Sequence, residues 1–183
     1  IEQVAEEIKK LGGKSSSIIC DVSREEQVID LIKGVMEKFQ RIDILVNNAG
    51  QVVNCPVEDM TLQQWKQVIN TNLGGTFLCS RAVIPIMRAQ GGGIIINMLG
   101  RGTRGGSVRE GLAAYSSSKG AIEVFTRVLA REVAPYNIRV NNLHPGHAIA
   151  TRMTLSTFHL DATELQPPWV VRAAAVFLAS DEN

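Results

Sequence analysis

Cysteine, aromatic side chains and long apolar runs are all scarce in this chain of 183 residues. Its three cysteines, Cys20, Cys55 and Cys79, are an odd number and lie far apart, which excludes a disulfide framework and ordinary metal-ligand spacing. No apolar run approaches the roughly 20 residues of a membrane-spanning helix, and the charged, amphipathic start is unlike a signal peptide. We therefore expect reduced thiols, no membrane partner and a cytoplasmic location.

The chain also lacks an excess of charge of either sign. Lysine and arginine together number 19, against 18 aspartates and glutamates, so nothing favours nucleic acid or an anionic membrane as a partner. The three histidines, His144, His147 and His159, have neither metal-ligand nor triad spacing, and no metal site is expected. The length predicts one domain over residues 1–183, with enough interior for a real core.

Helical and strand patterns alternate along the chain. A capping box, Ser23-x-x-Glu26, is expected to begin the second helix, and Thr61-x-x-Gln64 the third. The strands are continuous runs of Ile and Val separated by helices, which predicts an α/β fold with a parallel sheet covered on both faces. In chain order the expected elements are helix 2–11, strand 17–20, helix 23–39, strand 42–46, helix 62–88, strand 94–96, helix 113–134, strand 138–143 and a last helix around 170–178.

Tyr115 and Lys119 are four residues apart in a predicted helix, so their side chains share one face. A fixed ammonium beside a phenol favours the phenolate and lowers a pKa that begins near 10, as an acid or base working near neutral pH requires. The same spacing is also common on solvated helix faces. The pair therefore indicates chemistry only together with other motifs.

Three motifs together carry a resemblance to a family. Asn47-Asn48-Ala49-Gly50 after an apolar strand, Tyr115-x-x-x-Lys119, and Pro145-Gly146 after a second apolar strand are similar to the short-chain dehydrogenases/reductases, in the order of their classical branch. The resemblance runs nearly from end to end. It implies a Rossmann-like, doubly wound parallel sheet, NAD or NADP as cofactor, and interconversion of a small carbonyl compound and a secondary alcohol.

Ligands of such sheets bind beyond the carboxyl ends of the strands, and the candidate cofactor residues fall there. From local sequence alone, Asp21 is equally well an ordinary turn or N-cap aspartate, and the Asn47–Gly50 segment a turn that holds the sheet together. The resemblance implies that Thr151 meets the nicotinamide carboxamide, although it lies one residue further from Pro145 than is usual. The cofactor-binding residues implied by the resemblance are Asp21, Val22, Asn48, Ala49, Gly50, Tyr115, Lys119, Pro145, Gly146 and Thr151.

The resemblance also implies catalytic roles. Tyr115 is expected to donate or accept the proton, and Lys119 to lower its pKa and hold the nicotinamide ribose. Asn72 is expected to hold a water in line with the lysine. Nearby Gly74 and Gly75 should each cost about 1 kcal/mol of stability in a helix interior. A kink or a close helix contact is the alternative explanation for the presence of these glycines.

One departure from the family concerns catalysis. The position at which the family carries a serine hydroxyl is Gly100 in this chain. Thr103 or Ser107, in a loop that is about two residues longer than usual, are candidates to replace it. Loss of one such donor costs about 10²–10³ in rate, so the alternative is a catalytically impaired or non-catalytic protein that binds a dinucleotide or a partner.

The other departure concerns the ends of the chain. The family opens with a strand, a glycine-rich phosphate loop, a helix and a second strand, and this sequence begins at the helix after them. It also stops before the family's last strand. We therefore expect a sheet truncated at both ends and a chain that is part of a longer one, with the possibility that this piece alone binds nothing. Association as a homo-oligomer, dimer or tetramer, through helices 62–88 and 113–134 is implied by the resemblance.

Overall fold

The computed structural model describes residues 1–100, 108–146, 148–157 and 165–180. Thr103, Ser107, His147 and His159 lie outside the described residues. The helices are α1 (Glu2–Lys10), α2 (Glu25–Phe39), α3 (Leu62–Ile69), α4 (Gly75–Gln90), α5 (Ala113–Val133), α6 (Arg152–Thr157) and α7 (Arg172–Ala179). The strands are β1 (Ile44–Asn47), β2 (Gly93–Met98), β3 (Ile138–Leu143), β4 (Ala148–Ile149) and β5 (Leu165–Gln166).

The described strands form a parallel sheet in the order β1-β2-β3, and β4 and β5 pair in a separate parallel ribbon. Continuous apolar runs suit this sheet because both of its faces are covered. Helices α2, α4 and α5 pack on one face around Ile95, Val83 and Leu129. Helix α7 packs on the other face against Ile94 and Ile96. The fold is therefore α/β and Rossmann-like, as expected.

The expected strand at residues 17–20 is wrong, because these residues are irregular. A strand needs a neighbouring strand for its backbone hydrogen bonds. The described sheet has the order β1-β2-β3, so it ends at β1 and offers residues 17–20 no strand to pair with beyond it. Ile19, which should have been buried in a sheet, is 88% exposed. Apolar character alone therefore did not suffice to form a strand.

One of the two expected capping boxes forms. Thr61 accepts a hydrogen bond from the backbone N–H of Gln64 at 3.2 Å, and the Gln64 side chain accepts one from the Thr61 N–H at 2.9 Å. The box at Ser23 is wrong, since α2 begins at Glu25 with Arg24 as its N-cap. Asp21 captures Ser23 instead, accepting bonds from its N–H and its hydroxyl at 3.0 and 2.7 Å.

The glycines of the long helix have a physical explanation. A π-helical turn over Asn70–Gly74 separates α3 from α4. At Gly75, a Cβ atom would come within 2.6 Å of Val22 Cγ2, so only glycine lets α4 approach the segment before α2 this closely. A close contact and a local irregularity thus account for the cost of two glycines in one helix.

A row of asparagines crosses the sheet at its carboxyl end, and two of its three members, Asn47 and Asn97, are buried. Asn47, Asn97 and Asn142 occupy matching positions on the three neighbouring strands. Asn97 accepts from Asn47 at 2.8 Å and donates to the Thr126 hydroxyl of α5, also at 2.8 Å, while Asn47 donates to Ser80 of α4 at 3.0 Å. Buried amides need such partners, so this asparagine row fixes the register directly beneath the candidate site.

Candidate active site

Tyr115 and Lys119 lie side by side near the start of α5. The Lys119 ammonium is 5.8 Å from the centre of the Tyr115 ring. It donates a hydrogen bond to the Met98 carbonyl at the end of β2, at 2.8 Å, and the residue is only 5% exposed. The helical spacing therefore brings the phenol and the amine together in a desolvated place rather than on a solvated face.

Burial controls the proton affinities of this pair. It raises the pKa of the Tyr115 phenol above its ordinary value and lowers the pKa of Lys119 to about 8. The expectation that the ammonium lowers the phenol pKa is thus not met in this structure, because loss of water disfavours the charged form of both groups. Near neutral pH the phenol is protonated, and it can give a proton more readily than take one.

Gly100 lies directly against the Tyr115 hydroxyl. A Cβ atom at Gly100 would be 3.0 Å from Tyr115 Cζ and closer still to the hydroxyl oxygen. The phenol thus occupies space that any larger residue at position 100 would need. The Gly100 carbonyl meets Nε2 of His144 at 3.1 Å. A serine at position 100 would therefore need the Tyr115 ring to move, in addition to supplying a hydroxyl.

Asn72, in the π-helical turn, is fully buried and joins three parts of the site. Its side-chain oxygen accepts from the Gln51 N–H at 2.7 Å, and its amide nitrogen donates to the Gln51 carbonyl and the Ser118 hydroxyl at 3.0 and 2.9 Å. Ser118 in turn donates to the Tyr115 carbonyl at 2.6 Å. The amide of Asn72 therefore ties the segment after β1 to the helical turn that carries Tyr115.

Small residues after β1 make this connection possible. A Cβ atom at Gly50 would be 3.3 Å from the Asn72 side-chain oxygen, so a larger residue would crowd that bond. Asn48 and Ala49 are exposed at the carboxyl end of the strand, and the Asn48 N–H is bonded back to Val46. Both roles left open for this segment, a turn that supports the sheet and an accessible surface, fit this geometry.

The turn after β3 leaves open space beside it. Gly146 has a φ of +79°, which favours glycine, and a Cβ atom there would meet nothing within 4 Å. Its N–H donates to Nδ1 of His144 at 2.9 Å. Thr151 is exposed, and its hydroxyl accepts from the Thr154 N–H at 3.3 Å, so its observed contacts cap the short helix α6.

Asp21 makes the contacts of a turn residue. Its exposed carboxylate accepts from Ser23 and lies 3.5 Å from the Arg24 guanidinium. The bonds from Ser23 and the nearby Arg24 lower the pKa of this carboxyl. Neighbouring Val22 packs against Gly75. The structure thus links Asn72 to Tyr115 through Ser118 and places Lys119 beside the Tyr115 ring. The observed side-chain contacts of Asp21 and Thr151, in contrast, are local.

Two contributors to the site were missed from the sequence. Ser118 has a signal in hindsight, because it lies three residues after Tyr115 and so one helical turn away. His144 precedes Pro145 at a strand end, but its bonds to residues 100 and 146 depend on the fold. Among the described residues no group of three or more metal-ligating side chains converges, and no described helix is long and apolar enough to cross a membrane.

Comparison with known sequences decides the family. A sequence model of the family described as short chain dehydrogenase matches residues 1–160. The chain belongs to the short-chain dehydrogenase family. Members of this family are oxidoreductases that use NAD or NADP.

Individual relatives agree with this assignment. The dehydrogenase is 38% identical to a cyclopentanol dehydrogenase of Comamonas sp. (strain NCIMB 9872), over 98% of this chain and 75% of that protein. Its structure is similar to that of a short-chain type dehydrogenase/reductase from Mycobacterium marinum, with a TM-score of 0.90 and 32% identity over 98% of this chain and 74% of that one. A gluconate 5-dehydrogenase from Burkholderia cenocepacia J2315, solved in complex with NADP and tartrate, gives a TM-score of 0.87 and 29% identity over 97% of this chain and 73% of that one. The chain therefore spans about three quarters of the length of these proteins.

The dehydrogenase has features that suit a nicotinamide cofactor. Lys119 makes one hydrogen bond within the described residues, to Met98, whereas an ammonium can donate three. The surroundings of Gly146 are open, and Ala49 is exposed at the end of β1. Donor capacity and open space thus coincide at the carboxyl edge of the sheet, where ligands of such folds bind.

Proposed function

We propose that this dehydrogenase interconverts a small carbonyl compound and its secondary alcohol by hydride transfer. The observation that carries the proposal is the pair of partly buried Tyr115 and buried Lys119, held at the carboxyl end of the sheet. When bound, NAD or NADP supplies or accepts the hydride. The protein supplies a protonated phenol in a desolvated place, which is suited to giving a proton to a developing alkoxide.

Each residue of the network has a role in this proposal. Tyr115 exchanges the proton with substrate. Lys119, with a pKa lowered to about 8, is a cation that readily shares its protons, and the N–H donors that it does not use within the described residues suit ribose hydroxyls. Asn72 positions Tyr115 through Ser118 and supports a proton relay to the lysine. The cofactor would be held by Asp21, Val22, Asn48, Ala49, Gly50, Pro145, Gly146 and Thr151, with Tyr115 and Lys119 at its nicotinamide end.

Replacement of Tyr115 by Phe tests the proposal. We expect turnover to disappear while NAD or NADP binds nearly as before, because only the hydroxyl is lost. The chain has just one other tyrosine, Tyr136, and Tyr136→Phe is the matched control. Turnover and cofactor affinity should be measured separately, by steady-state kinetics and by calorimetry. Unchanged turnover in Tyr115→Phe would remove the tyrosine from the mechanism.

A second candidate function rests on Gly100. Without a hydroxyl at this position the protein loses one donor to the substrate carbonyl, which supports a binding protein with an impaired catalytic site. In that case NAD or NADP binds, but no carbonyl compound or alcohol in a broad panel is turned over. The two candidates thus differ in turnover and agree in binding.

We also propose a homo-oligomer, dimer or tetramer, that buries the outer faces of α4 and α5. Three large apolar side chains are exposed there, Phe77 at 43% and Val124 and Val128 at 51% each. Removing this apolar area from water favours association. Val128→Asp should lower the mass measured by light scattering, whereas Val57→Asp, at another exposed valine, should not. An equal mass for wild type and Val128→Asp would argue against this interface.

A cytoplasmic location is proposed from the cysteines. Cys20, Cys55 and Cys79 are all free thiols, as is usual in a reducing compartment. We likewise propose that residues 1–183 act as one domain. Limited proteolysis with intact-mass analysis tests the latter, since early cleavage between two stable fragments would reveal separate units.

A further inference from the structure

His144 bridges the backbone at the ends of two neighbouring strands. Its Nε2 lies 3.1 Å from the carbonyl oxygen of Gly100, just beyond β2. Its Nδ1 lies 2.9 Å from the N–H of Gly146, just beyond β3. Gly100 lies against the Tyr115 hydroxyl, and Gly146 lies in the turn that is proposed above to hold the cofactor. One imidazole therefore connects the two halves of the site.

The two bonds together select one tautomer of the ring. A backbone N–H can only donate, so Nδ1 must accept with its lone pair. A carbonyl can only accept, so Nε2 must carry the proton and donate it to Gly100. The arrangement is satisfied by the neutral imidazole with its proton on Nε2.

The bond to Gly100 bears on Tyr115. Gly100 and the Tyr115 ring are in contact so close that a Cβ atom would not fit between them. The position of the Gly100 backbone therefore limits where the phenol can stand and how much water reaches it. The other end of Tyr115, its carbonyl, is held separately by Ser118. Two contacts, that of Ser118 with the Tyr115 carbonyl and that of Gly100 with the ring, thus fix the position of the phenol.

We propose that His144 is a positioning residue: it holds the Gly100 backbone against the Tyr115 hydroxyl. This backbone contact then fixes the position of the phenol, as a serine side chain at position 100 would otherwise do. This inference rests on the proposed function, because positioning matters for catalysis only if Tyr115 transfers the proton. It concerns a residue that does not itself exchange the proton with the substrate.

Two substitutions separate the two bonds of His144. The amide nitrogen of glutamine reaches the position of Nε2, so His144→Gln keeps the donor to Gly100. The amide oxygen of asparagine lies where Nδ1 does, so His144→Asn keeps the acceptor for Gly146 and loses the donor to Gly100. Both variants should be made in the chain of residues 1–183 with a Tyr136→Phe background, because Tyr115 is then the sole tyrosine of these 183 residues.

The kinetic readout is kcat against KM for a substrate that the wild type turns over. Loss of one neutral hydrogen bond corresponds to about a two- to tenfold change. We expect His144→Asn to lower kcat by about this factor with KM for substrate nearly unchanged. His144→Gln should stay close to wild type. Equal kcat in all three proteins, or equal impairment of both variants, would overturn the proposal.

The second readout is independent of turnover. Phenolate absorbance in a pH titration reports the ionisation of Tyr115 alone in this background. Once released from Gly100, the phenol should meet more water, and its titration midpoint in His144→Asn should fall toward the ordinary value near 10. An unchanged midpoint would overturn the positioning role. A wild type that turns over nothing would count against the proposed function, while this titration still decides the inference.

Discussion

Adding a side chain at Gly100 is expected to displace Tyr115. In Gly100→Ala the new Cβ would lie 3.0 Å from Cζ and 3.1 Å from Cε1 of the tyrosine ring, and closer to its hydroxyl. Carbon atoms at their best separation are about 3.5–4.0 Å apart. The ring must therefore retreat by about half an ångström or more, within a site where burial leaves it little room.

The expected cost is that of overpacking. Extra methyl groups in a well-packed interior cost about 1–3 kcal/mol, which for a chain of this size lowers the melting temperature by about 2–4 °C for each kcal/mol. Chemical denaturation of wild type and Gly100→Ala measures this free energy of unfolding. Turnover should fall as well, because the displaced hydroxyl no longer stands where the Asn72 and His144 contacts hold it.

Two further variants make the test specific. Tyr115→Phe removes the atom nearest to the added methyl group, so Gly100→Ala should cost less stability in that background, and the difference is the coupling between the two positions. Gly100→Ser adds the same Cβ plus a hydroxyl, so its activity relative to Gly100→Ala isolates the donor. If Gly100→Ala leaves both stability and turnover unchanged, or if its cost is the same with Phe at position 115, the reasoning is refuted.

Three other perturbations follow from the described contacts. The folded pKa of Lys119, about 8, lies below its ordinary 10.5, so the unfolded chain binds more protons between these values and stability should rise with pH across this window, by up to about 3 kcal/mol. The difference in unfolding free energy between wild type and Lys119→Met, measured from pH 7.5 upward, should show this rise, and a constant difference would contradict it. Asn97→Ala should cost about 1–3 kcal/mol in urea denaturation, because Asn47 and Thr126 each lose one of their buried hydrogen bonds; a cost of a few tenths would mean that their remaining partners compensate. Thr61→Ala should lower the free energy of unfolding by about 0.5–2 kcal/mol through the loss of an N-cap. Ser23→Ala should lower it by less, because Ser23 is not an N-cap. A larger loss for Ser23→Ala than for Thr61→Ala would contradict this assignment of the N-caps.

The features that sequence predicted well are those decided within a few residues. The Thr61 capping box depends on four consecutive positions, and the closeness of Tyr115 and Lys119 depends on the pitch of one helix. Both were confirmed. The strand at residues 17–20 failed because strand formation depends on a neighbour elsewhere in the chain. The capping box at Ser23 does not form, because the Asp21 carboxylate two residues earlier accepts the Ser23 hydrogen bonds.

The electrostatics of the site depended on burial that the sequence does not display. From spacing alone the ammonium should lower the pKa of Tyr115. In the structure, burial of the phenol raises the pKa of Tyr115 instead. Part of this burial comes from Gly100, which lies 15 positions before Tyr115 in the sequence. His144 was missed for the same reason, because its partner Gly100 is 44 positions away.

The asparagine row also has a consequence for the order of folding. Asn47 and Asn97 are 50 positions apart along the chain, and Asn97 and Thr126 are 29 apart. Pairings across such distances form only after the intervening segments have collapsed, since closing a long loop costs entropy before any contact is gained. The helices can form earlier, from local contacts. We therefore expect the base of the site to be among the last parts to become ordered, so that a partly folded chain, however compact, lacks a competent site.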